Sequence, residues 1–196
     1  VALAEIVSRL SRELATILFP AFASGRIRAG QAPRILRVSV FFGLLVAAVL
    51  GIFSEPLVVL LFGEDFREAV AAFRWLLVGT VAWTSVSVTW SYANASGRPQ
   101  IGVPIFTAAA VTDVVLNVML LGRLGIVGAG IAATVSYWIA AILFLRLFCV
   151  LEACTLRDAL VVRPSDLRHI ARVTRDLARA LVRWRRRQRA PERVRE

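Results

Sequence analysis

Five polar residues in a largely apolar opening stretch recur at helical intervals: Glu5, Arg9, Arg12, Glu13 and Thr16. Their spacing places them on one stripe of a helix, with Glu5 and Arg9, then Arg9 and Glu13, paired at i and i+4. A charge near the centre of a bilayer costs at least about 2.5–3.5 kcal/mol on insertion scales, so such a stripe belongs against protein or a watery cavity rather than lipid. The other reading is an interfacial helix, or a span whose charges pair with a neighbouring segment. A second polar pair, Asp113 and Asn117, lies four residues apart in a later apolar run. An intramembrane carboxylate is a candidate proton or cation site, or else one end of an interhelical hydrogen bond. Neither group forms a catalytic constellation. The single histidine, His169, lies in a basic tail, and Cys149 and Cys154 fit no zinc or redox spacing, so both cysteines read as small apolar residues. No enzyme, metal centre or cofactor is expected.

The elements that must position these residues are membrane helices. Of 196 residues 58% are apolar, more than a soluble domain can carry without large exposed apolar patches. The formal charge of +11 conflicts with this only until it is located: every basic residue is Arg, and 13 of the 24 follow Cys154. From residue 69 to 93 only Arg74 is charged, a run long enough to cross the roughly 30 Å hydrocarbon layer. The predicted fold is all-α, a polytopic bundle over 1–150 with five spans at about 1–23, 38–53, 69–93, 101–121 and 126–150. Residues 151–196 form a basic tail. Val1 falls inside an apolar helix and no initiator Met precedes it, which predicts the C-terminal piece of a larger protein.

The breaks between spans have local causes. Residues 23–37 read as a loop carrying Arg26, Arg28, Arg34 and Arg37. At Glu55-Pro56 the helix must stop or kink, since proline donates no backbone hydrogen bond. Residues 57–62 then make a short surface helix ended by Gly63 and the acidic turn Glu64-Asp65. Arg74 lies close enough to the membrane edge to snorkel outward. Trp75, Trp83 and Trp90 recur on one face, with Trp83 expected inside the bundle and Trp90 and Tyr92 in the interfacial belt. NASGRPQ, residues 94–100, is a tight turn, and Gly122–Gly125 is another. Gly128, Ala132 and Ser136 repeat every fourth residue and predict a close helix–helix face.

Arginine placement sets the topology. With the tail cytoplasmic, the inside loops hold Arg26, Arg28, Arg34, Arg37 and Arg98, and the outside loops hold only Arg67 and Arg123. The acids Glu55, Glu64, Asp65 and Glu68 fall outside. A multi-pass protein of a cell inner membrane with a cytoplasmic C-terminus is expected.

Within the tail, Ser165 is a candidate cap for an amphipathic helix over about 165–188. Leu167, Ile170, Thr174, Leu177, Leu181 and Trp184 recur at three- and four-residue intervals, while Arg168, Arg172, Arg175 and Arg179 occupy other faces. A basic amphipathic helix beside a membrane span lies on anionic headgroups, gaining about 1 kcal/mol per Arg. Without a recognition motif, nucleic acid is not the expected partner.

SEPLVVLLFGEDFREAVAAFRWLLVG, ASGRPQ and LNVMLLGRLGIVGAGIAATVSYWI, in that order, resemble the C-terminal half of polysaccharide-biosynthesis flippases of the multidrug, oligosaccharidyl-lipid and polysaccharide exporter superfamily. The resemblance covers about residues 36–150, and LFPAFAS before it is similar to the end of that family's eighth helix. It implies two helical bundles around a cavity that opens alternately to each side and turns over a lipid-pyrophosphate-linked sugar chain. The stripe would then line the cavity, with Arg9 and Arg12 facing phosphate, Glu5 and Glu13 holding them, and Asp113 and Asn117 coupling an ion. It also implies partners: the lipid bilayer, a lipid-linked glycan, an N-terminal bundle, and a glycan polymerase or glycosyltransferases. Two other functions fit the same residues. A drug/cation antiporter would centre on Asp113, and a non-transporting scaffold would use the spans to anchor the tail near a biosynthetic complex.

Overall fold

A computed structural model describes residues 31–161 and Asp166. The first predicted span and the tail helix over 165–188 lie outside the described residues. The chain divides into two compact units, Val1–Val161 and Val162–Glu196, and the helices that follow belong to the first.

The described residues are helical throughout. Helix α1 is Ala32–Ile52, α2 is Ser54–Phe62, α3 is Ala69–Ala95, α4 is Gly102–Leu124, α5 is Ile126–Leu151 and α6 is Leu156–Leu160, with 3-10 turns at Glu64–Phe66 and Pro99–Ile101. Four helical stretches, Ala32–Ile52, Ala69–Ala95, Pro99–Leu124 and Ile126–Leu151, are long and apolar enough to cross a membrane. They match predicted spans two to five.

Boundaries differ where charge or glycine was read too literally. Helix α1 starts at Ala32, with Pro33 in its first turn, so Arg34 and Arg37 are helical rather than in a loop. Proline suits that position because the first-turn N–H groups have no intrahelical acceptor. The α1–α2 break falls at Phe53, one turn before Pro56, and Ser54 Oγ donates to the Gly51 carbonyl at 2.8 Å. Helix α4 runs through Gly122 to Leu124, so the turn into α5 is Gly125 alone, at φ 55°. A left-handed residue there reverses the chain at little cost only because it lacks a Cβ.

Helix α3 is the central element, packing against α5 on one side and α1 on the other, while α4 packs on α5. Small residues and hydroxyls make the close approaches. A Cβ on Gly130 would stand 2.9 Å from the Ala72 carbonyl oxygen, and one on Gly128 would stand 2.6 Å from that of Leu120. Gly128, Ala132 and Ser136 are all buried, as their spacing predicts. Along α3 the buried hydroxyls of Thr80, Thr84, Ser87, Thr89 and Ser91 return their hydrogen bonds to carbonyls three or four residues back. They are satisfied within their own helix and pack as small residues, the usual means of association where lipid removes the hydrophobic drive.

Three clusters fill the interior. Ala47, Val58, Val70, Phe73 and Leu77 pack where α1, α2 and α3 meet. Ala82, Val86, Ala140, Ala141 and Phe144 join α3 to α5, with Trp83, Trp90 and Phe106 against them. Ala32, Leu36, Val88, Leu145, Phe148 and Ala159 close the other end beneath α6. The outer faces of α1 and α4 stay open and apolar, with Leu44, Val49, Val114 and Val118 exposed. Apolar surface of that extent is stable against hydrocarbon or further protein, not water.

Candidate functional site

Asp113 lies in the middle of α4, at the interface with α5, and its Oδ1 is buried with no hydrogen-bond partner among the described residues. Asn117, one turn on, does not reach that oxygen: its Nδ2 donates to the Asp113 backbone carbonyl at 3.0 Å. The pair expected from sequence is therefore adjacent, but the amide supports the helix and leaves the carboxylate open. Tyr137 of α5 is near enough to feel the Asp113 charge. Its ring packs at 5.0 Å, tilted, on Trp83 of α3, which also meets Phe106 of α4 at 6.4 Å, so Tyr137 joins the Asp113 region to an aromatic cluster built from three helices.

That corner is held in place by close backbone contacts. Thr134 of α5 donates across to the Trp75 carbonyl of α3 at 2.6 Å and to its own Gly130 carbonyl at 2.8 Å. A Cβ on Gly79 would come within 3.0 Å of Tyr137 and 3.1 Å of Thr134, so α3 and α5 touch directly behind the tyrosine. Tyr137 was not singled out in the sequence, although a phenol within an apolar run was the available signal.

Other expected residues separate into those placed and those not. The stripe Glu5, Arg9, Arg12, Glu13 and Thr16, and the surface set Arg168, Arg172, Arg175, Arg179 and Trp184, lie outside the described residues. Trp83 packs inside the bundle as expected. Trp90 and Tyr92 are half-buried near the end of α3: Trp90 packs on Phe106 at 5.2 Å and Phe144 at 5.7 Å, and Tyr92 packs on Phe148 at 5.2 Å. Arg74 is exposed, as snorkelling requires, and its Nε donates to Ser54 Oγ at 2.8 Å, tying α3 to the α1–α2 break. An apolar cavity of about 260 Å³ lies between α2, α3 and the start of α5, lined by Val58, Phe62, Phe66, Phe73 and Ile126 among others. Among the described residues no charged group lines it.

At the opposite end, Arg37 is buried and its guanidinium donates to the Asp158 carbonyl, seating α6 on α1. Thr155 and Asp158 form a reciprocal capping box that starts α6. No group of three or more metal-ligating side chains occurs among the described residues.

Comparison with known proteins gives these helices a context. The family model described as lipid II flippase MurJ matches residues 10–161. An uncharacterized membrane protein of Methanocaldococcus jannaschii, MJ1068, is 29% identical over 103 residues, covering 51% of this chain and 20% of the relative. The chain thus matches about a fifth of that relative's length. No solved structure matches. The family's described activity is the flipping of a lipid, which is transport rather than enzymatic chemistry. With most of its length matched, including all four described candidate spans, the chain belongs to the MurJ lipid II flippase family.

Proposed function

We propose that this chain supplies the C-terminal bundle of an alternating-access transporter that turns over a lipid-pyrophosphate-linked glycan precursor, of the lipid II class, across the inner membrane. The observation that carries the reading is the family match over residues 10–161, a stretch that begins just ahead of Arg12 and ends after the fourth described span. The wider resemblance to polysaccharide flippases is consistent with the same cargo chemistry. Arg9 and Arg12 face the cargo phosphates, Glu5 and Glu13 hold the guanidinium groups, and Thr16 extends the polar stripe. Asp113 couples an ion, with Asn117 supporting its helix. The reading is favoured by energetics: phosphate is the ligand for which paired guanidinium groups are best suited. The tail is cytoplasmic and lies on anionic headgroups, near the polymerase or glycosyltransferases that use or make the cargo.

Substitution in the full-length protein tests this. Arg9→Ala with Arg12→Ala should abolish translocation of lipid-linked glycan at unchanged membrane abundance, because each charged hydrogen bond contributes about 1.5–3 kcal/mol, roughly tenfold or more. Asp113→Asn should slow turnover and remove its dependence on the ion gradient. If the double arginine variant transports normally and only Asp113→Asn fails, the antiporter reading replaces this one. If both transport normally and only removal of the tail has an effect, the chain is a scaffold.

A further inference from the structure

The end of α5 brings together two side chains that their sequence spacing leaves apart. The Cys154 N–H donates to the Cys149 carbonyl at 3.0 Å, and Ala153 between them is left-handed at φ 49°. This is the six-to-one hydrogen bond of a Schellman turn, which folds the second residue past a helix end back over the last turn. The two positions that this motif folds toward each other, usually apolar, are here both cysteines, and both pack against the cluster of Leu36, Val88, Leu145, Phe148 and Ala159. Both cysteines are free and half-buried rather than sealed in the core.

We propose that Cys149 and Cys154 form a redox-closable dithiol, a modification site that takes disulfide oxidants and closes to an intramolecular disulfide across the α5–α6 elbow. One thiolate attacks a sulfur of a small disulfide, forming a mixed disulfide and expelling one thiolate of the oxidant. The second cysteine, as thiolate, attacks the protein sulfur of that mixed disulfide and expels the other half. In sum, two protein thiols lose two electrons and two protons, and one disulfide is reduced to two thiols. The new bond ties the end of α5 to the segment leading into α6, where Arg37 of α1 already grips the Asp158 carbonyl. In a reducing compartment such a bond is transient and reports oxidation rather than holding the fold.

The test uses full-length protein in membrane vesicles, treated with dipyridyl disulfide and digested for mass spectrometry. Expected is one linkage between Cys149 and Cys154 with release of two pyridinethiones per pair and no retained adduct. Cys149→Ser and Cys154→Ser should each stop at the mixed disulfide on the remaining cysteine. Measured at about pH 11, where Cys154 ionises in the folded protein as well as in the denatured chain, closure should be at least about tenfold faster in the folded protein, since the turn preforms the contact. Two stable adducts on the wild-type protein, no reaction at either cysteine, or equally fast closure in denaturant would each overturn the proposal.

Discussion

Gly102 lies directly beneath the indole of Trp90: a Cβ built on the glycine would stand 2.1 Å from Cζ3 of the ring. Phe106 and Phe144 pack on the ring at 5.2 and 5.7 Å and limit how far it can shift. The first residue of α4 is thus locked to the last turns of α3 by the absence of a side chain. Gly102→Ala should destabilise the protein by about 1–3 kcal/mol, the usual cost of overpacking, read as a lowered unfolding temperature in detergent. Gly102→Ala with Trp90→Leu should recover part of the loss, and an unchanged melting temperature in the single variant would refute the contact.

Arg67 looks like a strong anchor and should not be one. Its guanidinium bonds Glu55 and Glu64, each at 2.8 Å. Yet the arginine side chain is 57% exposed and Glu55 48%. Exposed pairs of this kind contribute about 0–1 kcal/mol, because solvent screens the attraction and two long side chains must be ordered. Arg67→Ala should therefore shift thermal stability by no more than about 1 kcal/mol, with the shift shrinking further in high salt. A larger loss would mean that these ion pairs are shielded from solvent in the folded protein.

The proposed topology puts Arg98 and Arg123, at opposite ends of α4, on opposite sides of the membrane. Cysteines introduced as Arg98→Cys and Arg123→Cys should be labelled by an impermeant maleimide from the cytoplasmic and outer faces respectively. Labelling of both from one side would remove the alternating-span scheme and, with it, the cytoplasmic tail.

Much of this architecture was legible because one physical variable, apolar length, sets it. Helices begin at residues 69 and 126, where the long apolar runs begin, since a run of that length has no alternative to helix in lipid. Arg34 and Arg37 were misread as loop residues because charge near a span edge normally marks its end. What overrides this for Arg37 is a carbonyl acceptor 121 residues away, at Asp158, which no local pattern carries. Gly122 was misread for a similar reason: glycine permits a turn, but only Gly125 takes the positive φ. At the candidate site Asp113 stands out in the sequence as a lone acid, whereas Tyr137 comes near it, and Trp83 and Thr134 come to Tyr137's helix, only through helix packing. The contact of Cys149 with Cys154 depends on a left-handed Ala153, a conformation that alanine gives no reason to expect.

Reactivity at the α5–α6 elbow should depend on pH in an unusual range. Cys154 lies just past the end of the last span, where burial, then the adjoining Cys149, then the carboxylates of Glu152 and Asp158 all disfavour the thiolate. Together they push its pKa from an ordinary 9.0 up to about 11. Every cause acts in the same direction, so the thiol stays protonated across neutral pH. Iodoacetamide alkylation of Cys154, followed peptide by peptide, should rise about tenfold per pH unit through pH 8 to 10, levelling only near 11, because the thiolate is the nucleophile. Linkage gives the matching stability effect. The folded state keeps a proton that the unfolded chain releases near 9, so this contribution is complete below that pH and is lost as pH rises through about 11. Glu152→Gln with Asp158→Asn should move the alkylation profile toward lower pH. A plateau already reached at pH 9 in the wild-type protein would show that the thiol is solvated, and that the elbow is open rather than packed.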